Sequence, residues 1–221
     1  MHIDIISDTV CPWCYIGKRR LERALALRPD LEVDITWRAY QLNPDMPPEG
    51  KDRQAHYEAK FGTVEKAREI TKVIADVAKE EELDLEFGKI GRMPNTLGSH
   101  RLVRWAGSAG CQDDVVERLF KAYFIEGRDV GNLDVLVEIA VEAGMDAGLV
   151  RELLDTGADE KLVREEDAMA RQVGVTGVPC FIIDQKYSVM GAQDPEAFLQ
   201  VFDAVAREAA VSFAEPAPPS D

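Results

Sequence analysis

Two thiols three residues apart, Cys11 and Cys14, flank a Pro12–Trp13 pair near the start of the chain. A Cys-x-x-Cys spacing brings two sulfurs within reach of one disulfide, and it equally supplies half of a zinc site. Residues 2–7 (HIDIIS) are apolar enough for a buried strand, and Ile16 to Leu27 reads as a helix, so the motif spans a strand-to-helix junction. Cys11 is then the expected helix N-cap, with Pro12 at the first helical position, where its missing N–H costs nothing. The free N–H groups of Trp13 and Cys14 point toward the Cys11 sulfur and, with the helix dipole, favour its thiolate. Cys11 is thus the expected attacking sulfur, and Cys14, one turn further in, the more buried resolving thiol. A zinc site needs two more ligands at suitable spacing. Neither Cys111 nor Cys180 belongs to a second such pair or neighbours a histidine, so no metal is expected.

Other residues near the motif are weaker candidates. Asp4 is the only acid in the first strand, a place from which a carboxylate could accept the proton of the second cysteine. Lys18, Arg19, Arg20 and Arg23 follow the motif on its helix. They read first as a solvated face, and alternatively as charges that steady the thiolate and attract an anion. Trp13 and Trp37 offer apolar surface near the sulfurs, although Trp37 is more simply core. Cys111, at a helix boundary, reads as structural.

The elements that position these residues follow from periodicity. Residues 31–39 alternate, with Leu31, Val33, Ile35, Trp37 and Ala39 on one face and Glu32, Asp34, Thr36 and Arg38 on the other. With the first strand and helix this makes a β-α-β start whose strands are expected to be parallel. Pro44, Pro47, Pro48 and Gly50 break the pattern. Helical periodicity then runs through 53–61, 64–82, 96–109, 113–125, 133–142, 149–154 and 159–173. Strands return at 180–183 and 187–190 around an Asp184–Gln185 turn. A last helix opens with Asp194 as cap and Pro195 at its first position, and buries Phe198, Leu199, Phe202 and Val205. Residues 214–221 (AEPAPPSD) read as a disordered tail.

Composition narrows the class. The chain has 221 residues, 46% of them hydrophobic, which suffices for a large core. A net charge of −15 argues against nucleic acid as a partner, because phosphate contacts need surplus Lys and Arg. No apolar run approaches the length of a membrane span, so no membrane partner is expected. The first ten residues hold Asp4 and Asp8 and lack a basic and apolar leader, so a cytoplasmic location is expected. Four cysteines are too few for a disulfide framework in a chain this long, which again favours a working dithiol.

Strand, Cys-x-x-Cys, helix, strand, then a Val-Pro before a hairpin and a closing helix: this order resembles a thioredoxin fold with an inserted helical domain. The segments SDTVCPWCYIGKRRLE, NTLGSHRLVRWA (95–106), LFKAYFIEGRDVGNLDVL (119–136), GVTGVPCFIID (174–184) and GAQDPEAF (191–198) resemble the DsbA-like oxidoreductases of the FrnE branch. The same superfamily includes 2-hydroxychromene-2-carboxylate isomerases and kappa-class glutathione transferases. The resemblance spans essentially the whole chain. It implies an α/β fold with a large all-helical insertion between the second strand and the cis-proline strand. Residues 1–43 and 174–213 would form the thioredoxin-like domain, and 44–173 a helical domain capping the active site.

The same resemblance implies that Pro179 is a cis-proline opposite the Cys-x-x-Cys, shielding the sulfurs from metal. The Val178 backbone would offer strand-like hydrogen bonds to an extended partner. Asn95 and His100 fall in the capping insertion and become possible pocket residues, beside ordinary surface or helix-capping roles. Cys180 departs from what is expected next to that proline; it is either a small buried residue or a third thiol able to trap Cys11 or Cys14.

The activity implied is thiol–disulfide exchange with protein or small-molecule thiols and disulfides. No cofactor is required, and glutathione is a possible co-substrate; a homodimer is also possible. Two alternatives stand beside it. A glutathione-dependent isomerase or transferase typically has Ser at the position of Cys11 and lacks the second thiol. A redox-sensing or chaperone-like binding protein would use the helical cap to hold a partner.

Overall fold

The computed structural model describes the backbone of residues 1–214 and the side chains of residues 1–208. The expected tail at 214–221 therefore lies outside the described residues, apart from Ala214, which closes the last helix.

The apolar run at the N-terminus forms strand β1 (His2–Ser7), and helix α1 (Pro12–Ala26) follows after a four-residue turn. Strand β2 (Asp34–Ala39) returns parallel to β1, with Ile3 beside Ile35 and Ile5 beside Trp37. The alternation in sequence begins at Leu31, yet the strand begins at Asp34. That residue is the first with a neighbour across the ladder, His2. At the other edge of β1 runs the antiparallel strand β5 (Cys180–Ile183), followed by β6 (Tyr187–Met190). Asp184 and Gln185 both take positive φ, +48° and +56°, in the three-residue loop between Ile183 and Tyr187. The sheet order is β2-β1-β5-β6. This is the thioredoxin-like arrangement that the resemblance implies.

One sheet face carries Ile3, Ile5, Trp37, Phe181, Ile183 and Val189. It packs with Ile16 and Leu21 of α1 and with Phe198 and Phe202 of helix α9 (Pro195–Ala214) in one continuous core. The opposite face carries Asp4, Ile6 and Ile182, with Cys180 in a smaller cluster that includes Tyr40, Ala170 and Val175.

Between β2 and β5 lie seven helices: α2 (Arg53–Phe61), α3 (Val64–Glu80), α4 (Leu97–Ala109), α5 (Gln112–Lys121), α6 (Leu133–Glu142), α7 (Ala147–Asp155) and α8 (Glu160–Gln172). The stretch is not wholly helical as expected. Two short strands, β3 (Lys51–Asp52) and β4 (Arg92–Met93), pair antiparallel and bracket α2 and α3. The helix expected through Ile125 also changes character. After Lys121 the chain widens into a π turn over Ala122–Glu126, where the Phe124 carbonyl accepts a 2.7 Å hydrogen bond from the Glu86 N–H. Gly127 then turns the chain at φ +73°, where a Cβ would lie 2.6 Å from the Lys89 carbonyl oxygen. Through α4, α5 and α8 this layer covers the outer edge of β2 and reaches the turn that carries the dithiol.

Candidate active site

Cys11 caps α1 in extended conformation (φ −94°, ψ 112°), and Pro12 takes the first helical position. The local sequence dictates this: Pro12 cannot continue a ladder backward but starts a helix at no cost. The Cys11 N–H donates to the Asp8 carbonyl (3.0 Å), which closes the turn between β1 and α1. The two thiols are unpaired and buried, 3% exposed at Cys11 and 1% at Cys14. The Cys11 Sγ lies 3.6 Å from the Val178 carbonyl oxygen, and the Val178–Pro179 peptide bond is cis. Trp13, by contrast, is 36% exposed beside them.

Cys14 shares a core cluster with Cys11, and its thiol is also influenced by the Ser7 side chain and the Asp8 backbone. Burial pushes its thiol well above the usual range, and the neighbouring Cys11 adds to the shift through a hydrogen bond and charge. Ser7 and Asp8 pull the other way without overcoming burial. Cys14 is therefore held as the neutral thiol.

Two groups that the sequence reading passed over organise the turn. Asp8 is fully buried; its Oδ2 accepts from the Leu42 N–H (2.7 Å), and its Oδ1 lies 3.3 Å from Nε2 of the buried His100. Thr9 Oγ1 and Ser99 Oγ are 2.8 Å apart. Helix α4 thus meets the dithiol turn at two consecutive positions on each side. An acid placed directly between an apolar strand and a Cys-x-x-Cys was the available signal for Asp8. Ser7, the last residue of β1 on its core face, gave none.

The remaining candidates fall in different places. Asp4 projects from the far face of the sheet, where it accepts from Arg38 Nε (2.7 Å) and sits 3.4 Å from His2 Nε2. It is not among the groups that influence Cys14. Asn95 clips the start of α4: its Oδ1 accepts from the Leu97 N–H (2.9 Å), and its Nδ2 donates to the Met46 carbonyl (2.5 Å). Cys180 packs against Ile6 and Tyr40 in a cluster separate from that of Cys11 and Cys14, and burial raises its thiol. Trp37 is core, with its Nε1 donating to Asp113 (3.0 Å). Cys111 caps α5.

The basic run is neither a free solvated face nor aimed at the sulfurs. Lys18 is buried among Glu22, Asp113 and Glu117; Arg19 pairs with Glu22 and Glu117; Arg20 and Arg23 share Glu81, and Arg20 also reaches Asp194. These pairs tie α1 to its neighbours. Among the described residues no group of three or more His, Cys, Asp or Glu side chains is placed to hold a metal ion, and no helix is long and apolar enough to cross a membrane.

Chemically, the arrangement offers a dithiol at a helix start, one sulfur beside a backbone acceptor and the other in a dry seat. Comparison with known proteins points the same way. A family model described as the DSBA-like thioredoxin domain matches residues 2–203. The chain is 32% identical to the probable DsbA oxidoreductase of Streptomyces coelicolor. It superposes on that crystal structure with a TM-score of 0.83, covering 100% of this chain and 93% of that one. The 2-hydroxychromene-2-carboxylate isomerase structure superposes at 0.69 with 16% identity, over 97% of this chain and 100% of that one. The cytosolic disulfide reductase DsbM of Pseudomonas aeruginosa, with GSH, does so at 0.62 and 16%, over 94% and 100%. At such identities the last two show a shared fold alone.

Proposed function

The chain belongs to the DSBA-like thioredoxin domain family, and from that premise we propose that it is a thiol–disulfide oxidoreductase working through Cys11 and Cys14. The Cys11 thiolate attacks a disulfide of the partner, so that one partner sulfur leaves as a thiol and the other is joined to Cys11. Cys14 then gives up its proton and attacks the Cys11 sulfur. The second partner thiol departs and a Cys11–Cys14 disulfide remains. The partner has gained two electrons and the dithiol has lost two. Run backward, the same steps oxidise a partner dithiol.

One observation carries this reading: two unpaired thiols near each other at the N-terminus of α1, with Cys11 beside the Val178 carbonyl. Exposed Trp13 and the Val178 backbone supply an apolar surface and a strand-like edge for an extended partner. Glutathione is proposed as a small-molecule partner, a suggestion supported by the fold shared with the GSH-containing DsbM structure. A cytosolic setting is proposed on the same fold-level ground. The isomerase or transferase reading has the shared fold in its favour, but it makes no use of a second thiol.

Insulin reduction and glutathione-coupled disulfide formation, measured for Cys11→Ser and Cys14→Ser, test the proposal. Loss of both activities in both variants is expected. Full activity in Cys14→Ser would replace dithiol exchange with a monothiol mechanism.

A further inference from the structure

Resolution of the mixed disulfide requires Cys14 to lose a proton in a seat with no direct access to water. Ser7 neighbours the Cys14 thiol and also lines a cavity of about 10 Å³, together with Thr9, His100, Trp37, Val116 and Phe120. That volume is at the lower limit for one water molecule, and three of these residues offer polar atoms to hold it. His100 also lines a larger groove of about 600 Å³ that opens along the edge of β2. It therefore lines both spaces, as do Trp37, Arg38 and Val103. Asp8 fixes the ring from the turn, through the 3.3 Å contact of its Oδ1 with Nε2. The other charged groups on this path are Arg38 of β2 and, in the groove, Asp34, Arg104, Asp113, Asp159 and Glu166.

We propose that His100, oriented by Asp8, takes up and returns the Cys14 proton during disulfide exchange, by way of Ser7 and one bridging water. This rests on the dithiol reading above. In the resolving step the proton passes from Cys14 Sγ to the His100 imidazole. The electron pair left on Cys14 forms the Cys14–Cys11 bond, the bond between Cys11 and the partner sulfur breaks, and that sulfur leaves as a thiolate that is protonated from solvent. The imidazolium then releases its proton into the groove. In the reverse direction the imidazolium protonates the departing Cys14 thiolate. The arrangement accounts for a histidine and an aspartate buried side by side next to a dithiol, 4% and 1% exposed in their side chains. Burying a polar pair is costly unless the pair is used or fully satisfied.

The test is a single-turnover reaction of the fully reduced protein with substoichiometric dithiodipyridine, followed by thiopyridone absorbance. The first release reports attack by Cys11 and the second reports resolution by Cys14. His100→Ala is expected to leave the first release near the wild-type rate and to slow the second by about 100-fold. Added imidazole should restore the second rate in proportion to its concentration. His100→Gln, which keeps a hydrogen bond toward Asp8 but takes up no proton, should be as slow as His100→Ala. Ser99→Ala, which cuts the neighbouring tie without removing an ionisable group, should behave as wild type. A wild-type second rate in His100→Gln, or a slow second step in His100→Ala that imidazole leaves unchanged, overturns the proposal. Absence of a second release in the wild type overturns the dithiol reading itself.

Discussion

The backbone N–H of Leu42 donates a 2.7 Å hydrogen bond to Asp8 Oδ2, joining the turn that carries Cys11 to the segment that leaves β2. Asp8 is completely buried and Leu42 follows a stretch held in turn by α8, through Asp167 Oδ1 on the Gln41 N–H (2.8 Å). Asp8→Ala leaves the Leu42 donor without its partner, so it should destabilise the protein by about 1–3 kcal/mol. Asp8→Asn keeps an acceptor oxygen and should cost less. Urea unfolding of the reduced proteins measures both. Equal stability of Asp8→Ala and wild type would show that the clamp is redundant.

Gly17 lies on the face of α1 that meets the Val-Pro segment. A Cβ there would approach Pro179 Cγ to 2.9 Å and Phe181 Cζ to 3.1 Å. In an exposed helix Gly→Ala gains about 1 kcal/mol, whereas overpacking a core costs about 1–3 kcal/mol. The Pro179 ring and the fully buried Phe181 have little room to yield, so the second effect should win. Gly17→Ala is expected to unfold at lower denaturant and to slow disulfide exchange by shifting the residue next to Cys11. A stabilised Gly17→Ala with unchanged exchange would mean that the contact relaxes freely.

Much of this was legible along the chain, and the exceptions share a cause. Strands 2–7, 180–183 and 187–190 and helices 53–61 and 133–142 coincide with their expected bounds because local periodicity and flanking Gly, Pro and Asn fix them. Cys11 as cap and Pro12 at the helix start are equally local. The start of β2, the β3–β4 pair and the π turn depend on partners distant in sequence: the His2–Asp34 register, the Lys51–Met93 register and the Glu86 N–H. So do the site's supports. Nothing near Lys18 announces Asp113 and Glu117, and nothing near Asp8 announces His100, 92 positions away. Alternation likewise left the facing of Asp4 open, until pairing with both β2 and β5 put Ile5 on the core side and Asp4 on the other.

Acid should weaken the protein through Glu117. Burial alone would raise its carboxyl, but the Arg19 hydrogen bond, the Lys18 charge and the Tyr15 hydroxyl outweigh it and hold the group below its usual value. A carboxyl lowered in the folded state contributes stability that is fully present above the ordinary value of 4.5 and is lost as pH falls through the lowered one. Glu117→Gln should therefore be less stable than wild type at neutral pH, and the difference should shrink as pH drops below the ordinary glutamate range. Unfolding curves over a pH series read this directly. A gap that stays constant into acid would assign the effect to packing against Tyr15.

Gln112 stands in for a missing strand at the edge of β2. Its Oε1 accepts from the Trp37 N–H (2.9 Å) while its Nε2 donates to the Trp37 carbonyl (3.3 Å) and to that of Val103 (3.2 Å). Glu166 treats the next outward N–H, that of Ala39, in the same way (3.0 Å). Side-chain caps of this kind keep an edge strand from recruiting another chain. Gln112→Leu keeps the bulk and removes all three hydrogen bonds. The groove of about 600 Å³ along this edge admits water to the freed groups, so the cost should sit near the lower end for unpaired backbone, about 1 kcal/mol. The larger effect is expected in association: the variant should scatter more light on concentration, and adding Glu166→Leu should increase this further, because two consecutive outward N–H groups are then uncovered. If both variants scatter as wild type does, helices α4, α5 and α8 shield the edge without help from these two side chains.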